Sequence, residues 1–219
     1  MEIGAKTVVE LRQRTGAGIM DCKRALLETE GDIDKAIRHL REKGIASATK
    51  KEGRIAAEGK VDAYIHMGGK IGVLLEVNCE SDFVARGDDF KNFCREIAMQ
   101  IAATNPPYLL CEDVPEGVVE EEKQIYRKQA EESGKPEKMW DKIAEGRLKK
   151  FYTENCLMDQ TYVREQKMSV EKLRQELVTK IGENVVIRRF ARFELGEGIE
   201  KKKTDLAAEV AEQIAQAKK

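Results

Sequence analysis

Between residues 59 and 77 the spacing of apolar side chains changes from every third or fourth position to every second one, and from residue 88 it changes back. Val61, Ala63 and Ile65 alternate with polar residues, Met67-Gly68-Gly69-Lys70 is turn-forming, and Ile71, Val73, Leu75 and Val77 alternate again. This pattern predicts a β-hairpin, because adjacent glycines supply the positive φ angles that a tight turn needs. A hairpin set among helices excludes a pure helical bundle. It points to an α+β fold, a small antiparallel sheet covered by helices.

The helical parts divide the chain further. Val8 and Leu11 stand one helical turn apart, and Thr15-Gly16-Ala17-Gly18 breaks their helix. Met20 to Leu27 restarts it, Gly31 ends the second helix, and Ile33, Ala36, Ile37 and Leu40 form the stripe of a third. Residues 1–44 therefore read as a three-helix module and 45–58, rich in Ala, Lys and Gly, as a linker that could be partly helical. In the core, 59–198, the hairpin is followed by a helix over 88–104 that Asn105-Pro106-Pro107 stops. Further helices are predicted over 118–132, 138–152 and 170–180. Residues 185–194 have strand composition and are expected to join the hairpin, leaving open which face Arg188, Arg189 and Arg192 occupy. The last segment, 199–219, is read as a helical module, with Leu206, Val210 and Ile214 on one side of a helix over 204–216.

Charge is balanced overall and segregated locally. The net charge of the 219 residues is −1, but residues 1–60 carry +3, 61–111 −3, 112–145 −5 and 146–203 +5. A general nucleic-acid binder would show a basic excess, so no direct nucleic-acid partner is expected. Segregated charge suits orientation against a protein. No apolar run is long enough for a membrane span, and the first residues lack the apolar stretch of a secretory leader. Five cysteines, an odd number with no CxxC pair, speak against a disulfide framework or a zinc site and for a reducing, cytoplasmic setting.

Ordinary enzymatic constellations are missing. The two histidines, His39 and His66, lie far apart in the chain. The run from Gly53 to Val61 has five residues between its glycines where a phosphate loop has four, and Val61 stands where that loop needs a hydroxyl for Mg²⁺. Gly16-Ala17-Gly18 lacks both the third glycine and the preceding strand of a dinucleotide site. No catalytic residue, metal site or cofactor is assigned, and the chain is not expected to be an enzyme.

The segment that leaves the second hairpin strand stands out. Asn78-Cys79-Glu80-Ser81-Asp82-Phe83-Val84-Ala85-Arg86 places an aromatic side chain between an acid and a base. Either Phe83 and Val84 enter the core beside Phe90, or Phe83 is displayed to a partner. Aromatic and Arg side chains are enriched where partners bind tightly.

The chain closely resembles the bacterial elongation factor Ts family in four stretches taken in family order: Leu11 to Leu26, Leu75 to Arg86, Lys180 to Arg189, and Gly196 to Val210. Together they span nearly the whole chain. The resemblance implies a guanine nucleotide exchange factor that drives GDP release from elongation factor Tu, binding its GDP-bound and nucleotide-free states. It implies that Arg12, Ile19 and Met20 contact the partner from a module similar to ubiquitin-associated domains. Ser81, Asp82, Phe83 and Val84 would disturb the partner's Mg²⁺ and phosphate site, and Asp205 and Leu206 would add a C-terminal clamp. Ile19 and Met20 could equally close the small helical core. The family often has Thr at Ser81, Met at Ile19 and Phe at Leu206, and some members have His at Gln100. Longer members contain two related core halves. This chain resembles the short form, for which pairing of two copies is implied. A helical adaptor or an RNA-associated protein without exchange activity is the alternative.

Overall fold

The computed structural model describes residues 3–15 and 17–199. The fold is α+β. Helices α1 (Ala5–Thr15), α2 (Ile19–Glu28) and α3 (Ile33–Thr49) open the chain. Their apolar stripes meet in a small core of Val8, Leu11, Cys22, Ala25, Leu26, Ala36 and Leu40. Strands β1 (Glu58–Ile65) and β2 (Ile71–Cys79) follow as the hairpin, then the single turn α4 (Asp82–Ala85) and the long helix α5 (Asp88–Thr104). Next come α6 (Glu116–Glu132) and α7 (Trp140–Asn155), a short hairpin of β3 (Thr161–Tyr162) and β4 (Glu165–Ser169), then α8 (Val170–Ile181) and β5 (Val185–Glu194).

The sheet has the order β1-β2-β5, antiparallel throughout, so β2 is central. Alternation gives β2 two unlike faces. Val73, Leu75, Val77 and Cys79 point inward and are buried against Phe90, Phe93, Ile97 and Ile101 of α5 and Val170, Leu177 and Val178 of α8. Leu74 and Glu76 point to the other side, which no helix covers among the described residues.

The expected third strand pairs as predicted, with one irregularity that settles its arginines. Register shifts between Glu76 and Val77, where Glu76 faces Arg189 and Val77 faces Ile187. Arg188 is the extra residue of this β-bulge. Both guanidiniums therefore reach one carboxylate, at 2.7 Å from Arg188 and 2.6 Å from Arg189. Those hydrogen bonds hold the Glu76 carboxyl below its ordinary value. Beyond the bulge Arg192 turns inward, donating to the Ala102 carbonyl and to Glu194.

Residues 45–58, read as a linker that could be partly helical, begin with the end of a helix. Helix α3 runs on to Thr49, as alanine-rich sequence favours. Ala48 is fully buried in the main core, and the Thr179 hydroxyl of α8 lies 3.1 Å from the Gly44 carbonyl. A cleft of about 310 Å³ between α3 and α8 is lined by Ile37, Leu40, Met168 and Thr179 among others and does not touch residues 81–84.

The β3–β4 hairpin was not predicted. It is short and charged, and it is held by a buried polar network rather than by an apolar stripe. Gln100 Nε2 donates to Gln160 Oε1 (3.0 Å) and to the Thr161 carbonyl (3.1 Å), and its Oε1 accepts from the Val163 N–H (2.8 Å). Gln100 is fully buried.

Candidate functional site

The site grows from the end of β2. Cys79 closes the strand facing the core, and burial pushes its thiol up, with the nearby Glu183 carboxylate adding to the effect. Ser81 then takes an extended conformation (φ −131°, ψ 152°) and caps α4 with its side chain. The Val84 N–H donates to Ser81 Oγ at 3.4 Å. The Ser81 hydroxyl itself donates to Glu183 Oε1 (2.6 Å), and the Ser81 N–H donates to Glu183 Oε2 (3.0 Å).

This one-turn helix separates the two apolar residues that the sequence left together. Val84 packs against the main core, whereas Phe83 is 83% exposed. Asp82 and Arg86, one turn apart, form an ion pair of 2.8 Å in open water. Such a pair adds little to stability, so it leaves both charges available to a partner. Gly87 ends the turn, its N–H donating to the Val84 carbonyl, and α5 starts at Asp88 with Phe90 in the core.

The scaffold beneath the loop is polar and closed on itself. Gly182, at φ 82°, ends α8 in the left-handed region and delivers Glu183 and Asn184 to the start of β5. The Asn184 N–H donates to Glu80 Oε1 (2.6 Å), and its side-chain amide donates to the carbonyls of Glu52 (3.2 Å) and Arg54 (2.9 Å). Each loop's carboxylate thus binds the other loop's backbone: Glu183 holds Ser81, and Glu80 holds Asn184. Buried Arg174 extends the network, with Glu171 at 2.7 Å, Glu52 at 2.9 Å and the Val185 carbonyl at 3.0 Å.

The other expected positions lie elsewhere. Arg12 is exposed on α1. Ile19 and Met20 open α2, and Met20 is 62% exposed, so neither closes the small core, which Cys22, Ala25 and Leu26 fill instead. Asp205 and Leu206, with the expected helix over 204–216, lie outside the described residues. Gln100 is interior and offers no surface.

The uncovered sheet face is a second candidate surface. Val61, Ile65 and Leu74 stand on it beside Phe193, which is 70% exposed. Register places Leu74 between Ala63 and Ala191, and Gly72 between Ile65 and Phe193, making one continuous patch. An apolar patch of this kind marks an interaction surface more often than bare exterior.

Sequence reasoning gave Glu183, Glu80 and Asn184 no role, although Glu80 lies in the segment after the second strand and Glu183 and Asn184 lie in the third family stretch. The signal that could have revealed them is topological. If residues 185–194 pair antiparallel with 71–79, the end of one strand must lie beside the start of the other.

Among the described residues no cluster of His, Cys, Asp or Glu is arranged to hold a metal, and no helix is long and apolar enough to cross a membrane. The five cysteines are free thiols, four buried and Cys111 half-buried.

Residues 23–197 match the family described as elongation factor TS. The chain is 62% identical over 199 residues to an elongation factor Ts of Caldanaerobacter subterraneus subsp. tengcongensis, covering 91% of this chain and 100% of that one. It is 58% identical over 212 residues to an elongation factor Ts of Syntrophomonas wolfei subsp. wolfei (97% and 99%). With an elongation factor Ts of Geobacter sulfurreducens the identity is 57% over 211 residues (96% and 98%).

Proposed function

The chain belongs to the elongation factor Ts family of translation elongation factors, and from that membership we propose that it is the guanine nucleotide exchange factor of elongation factor Tu. It binds the GDP-bound and nucleotide-free partner, speeds GDP release and so permits reloading with GTP. The observation that carries this reading is Phe83, a large aromatic side chain held in water on a capped single turn. Water-exposed Phe costs solvation free energy unless a partner covers it.

In this mechanism Asp82 and Phe83 enter the partner near its bound Mg²⁺ and phosphates. The Mg²⁺ bridges and neutralises phosphate oxygens, so displacing the groups that hold it weakens nucleotide binding. Arg12, Ile19 and Met20 grip the partner from the helical module, and Asp205 with Leu206 does so from the C-terminal segment. Linkage governs the outcome: nucleotide and exchange factor weaken each other's binding by the same factor. A thousandfold faster release requires about 4 kcal/mol off the dissociation barrier, which calls for a broad interface and not one wedge. The Mg²⁺ and nucleotide belong to the partner, and no covalent chemistry is asked of this chain.

The second part of the reading is that two copies pair through the uncovered sheet face. Support comes from the patch of Val61, Ile65, Leu74 and Phe193, which is apolar in the manner of a core face. Sedimentation across a concentration series tests it. A dimer that Phe193→Asp converts to monomer is the expected result, and a monomer at all concentrations overturns it.

The exchange reading is tested by stopped-flow release of a fluorescent GDP analogue from purified elongation factor Tu. Acceleration that saturates with added protein is expected. A folded protein that leaves the rate unchanged overturns the reading and favours a helical adaptor.

A further inference from the structure

We infer that Glu183 is the positioning residue for Phe83. The inference rests on the exchange reading above and assigns the aim of the wedge to a side chain that does not itself need to touch the partner. A helix of four residues cannot sustain itself, because helix nucleation fixes several backbone dihedrals for very few hydrogen bonds. Something outside α4 must hold it. Glu183 does so at the residue that caps the helix, with both oxygens of one carboxylate, 2.6 Å from the Ser81 hydroxyl and 3.0 Å from the Ser81 N–H.

The two bonds have different consequences. Ser81 has one hydroxyl proton. Donating it to Glu183 turns the oxygen's lone pairs toward the Val84 N–H, so the carboxylate orients the cap. The bond to the Ser81 N–H fixes the extended backbone from which the turn starts. Both are charge-assisted and stronger than neutral hydrogen bonds. Phe83 lies two residues beyond this clamp, and on the same turn Val84 is anchored in the core. Its ring direction is therefore set between a carboxylate at one side and an apolar anchor at the other.

Glu183 is itself held on both sides. Gly182 turns the chain at φ 82°, and Asn184 is tied to Glu80, Glu52 and Arg54. The clamp thus ties Ser81 to Glu183, 102 positions away in sequence, and so connects the turn that carries Phe83 to the turn between α8 and β5.

The test is a double-mutant cycle between Glu183→Gln and Phe83→Ala, read as the GDP release rate from elongation factor Tu at saturating exchange factor. Gln keeps the size of the side chain and one acceptor oxygen but loses the charge and the second acceptor. Glu183→Gln is expected to lower the saturating rate about fivefold to tenfold while leaving the thermal midpoint near that of the parent. In the Phe83→Ala background the same change is expected to lower the rate less than twofold, because there is no ring left to aim. A purely structural Glu183 would produce effects that multiply.

Amide exchange of the free protein supplies a readout without the partner. Val84 and Ala85 are expected to exchange about tenfold faster in Glu183→Gln, with Leu75 and Val77 unchanged. If Glu183→Gln folds poorly, Ser81→Ala, which removes the hydroxyl bond to Glu183 together with the cap on the Val84 N–H, enters the same cycle. Phe83→Ala releasing GDP at the parental rate would overturn the wedge reading and this inference together. Phe83→Ala slow with Glu183→Gln at the parental rate, or multiplying effects, would overturn the inference alone.

Discussion

The helical module and the α4 turn both hold large apolar side chains in water, and they do it by opposite means. Ile19 and Met20 begin a regular ten-residue helix whose buried side supplies a core of its own. Phe83 sits on four residues with no independent stability, kept in shape by Ser81, Val84 and the distant Glu183. The first display depends on apolar packing within residues 3–44. The second depends on polar bonds that converge from β2, α8 and β5. A surface residue can thus be as sensitive to its supports as a core residue, when its helix is too short to support itself.

The largest effect that separates the two regions should come from Leu26→Ala. Leu26 is fully buried in a seven-residue core, and truncating such a leucine costs about 2–5 kcal/mol. Circular dichroism and amide exchange are expected to show α1 and α2 opening while β2 and α5 stay protected. Equal loss of protection in α5 would mean that the two regions fold as one unit.

Gly59→Ala strikes the other side. Gly59 has φ +142°, and a Cβ there would lie 2.2 Å from the Val77 carbonyl oxygen, beside the strand end that leads to Ser81. Backbone strain alone is expected to cost about 1–3 kcal/mol, seen as a lower urea midpoint. An unchanged midpoint would show that β1 can shift away from β2 freely.

A kinetic contrast sharpens the comparison. Phe83→Ala should lower the saturating GDP release rate about tenfold, with stability within about 0.5 kcal/mol because the ring is exposed. Met20→Ala should instead raise the half-saturating concentration severalfold and leave the saturating rate near normal. Identical signatures would merge the two regions into one functional surface.

The smallest effect concerns acid. Glu76 has a folded value below its ordinary 4.5 because Arg188 and Arg189 donate hydrogen bonds to it. A carboxyl depressed on folding adds stability above its unfolded value and loses it as pH falls through the folded one. Urea midpoints at pH 7 and pH 3.5 should therefore fall less for Glu76→Gln than for the parent. Equal falls would show that the bulge arginines bind Glu76 no better in the folded chain than in the unfolded one.

Much of this was legible in the residues. The alternation from Val61 to Val77 predicts β1 and β2, and strand composition brings β5 beside them. The exposure of Phe83 was not legible, since an aromatic followed by valine reads equally as core. What decides it is α4, a turn too short to show any period. The Glu183–Ser81 clamp was hidden because its partners are far apart in sequence and only strand order unites them. Gln100 was hidden for another reason: a glutamine reads as surface until three partners are found for it indoors. Residues 45–58 read as a linker with room for some helix, and where that helix stops was hidden because alanine suits a helix end and exposed chain alike.

The continuation of α3 into the core bears on how binding begins. Gly44 leaves no room at α8: a Cβ there would meet Thr179 at 3.0 Å, and one helical turn later Ala48 is enclosed in the main core. The helical module is therefore not tethered to the core by a slack leash that must search for its half of the interface. On the proposed exchange reading, both grips arrive in a single collision with their spacing already set, and little orientational entropy remains to be lost when the second one closes.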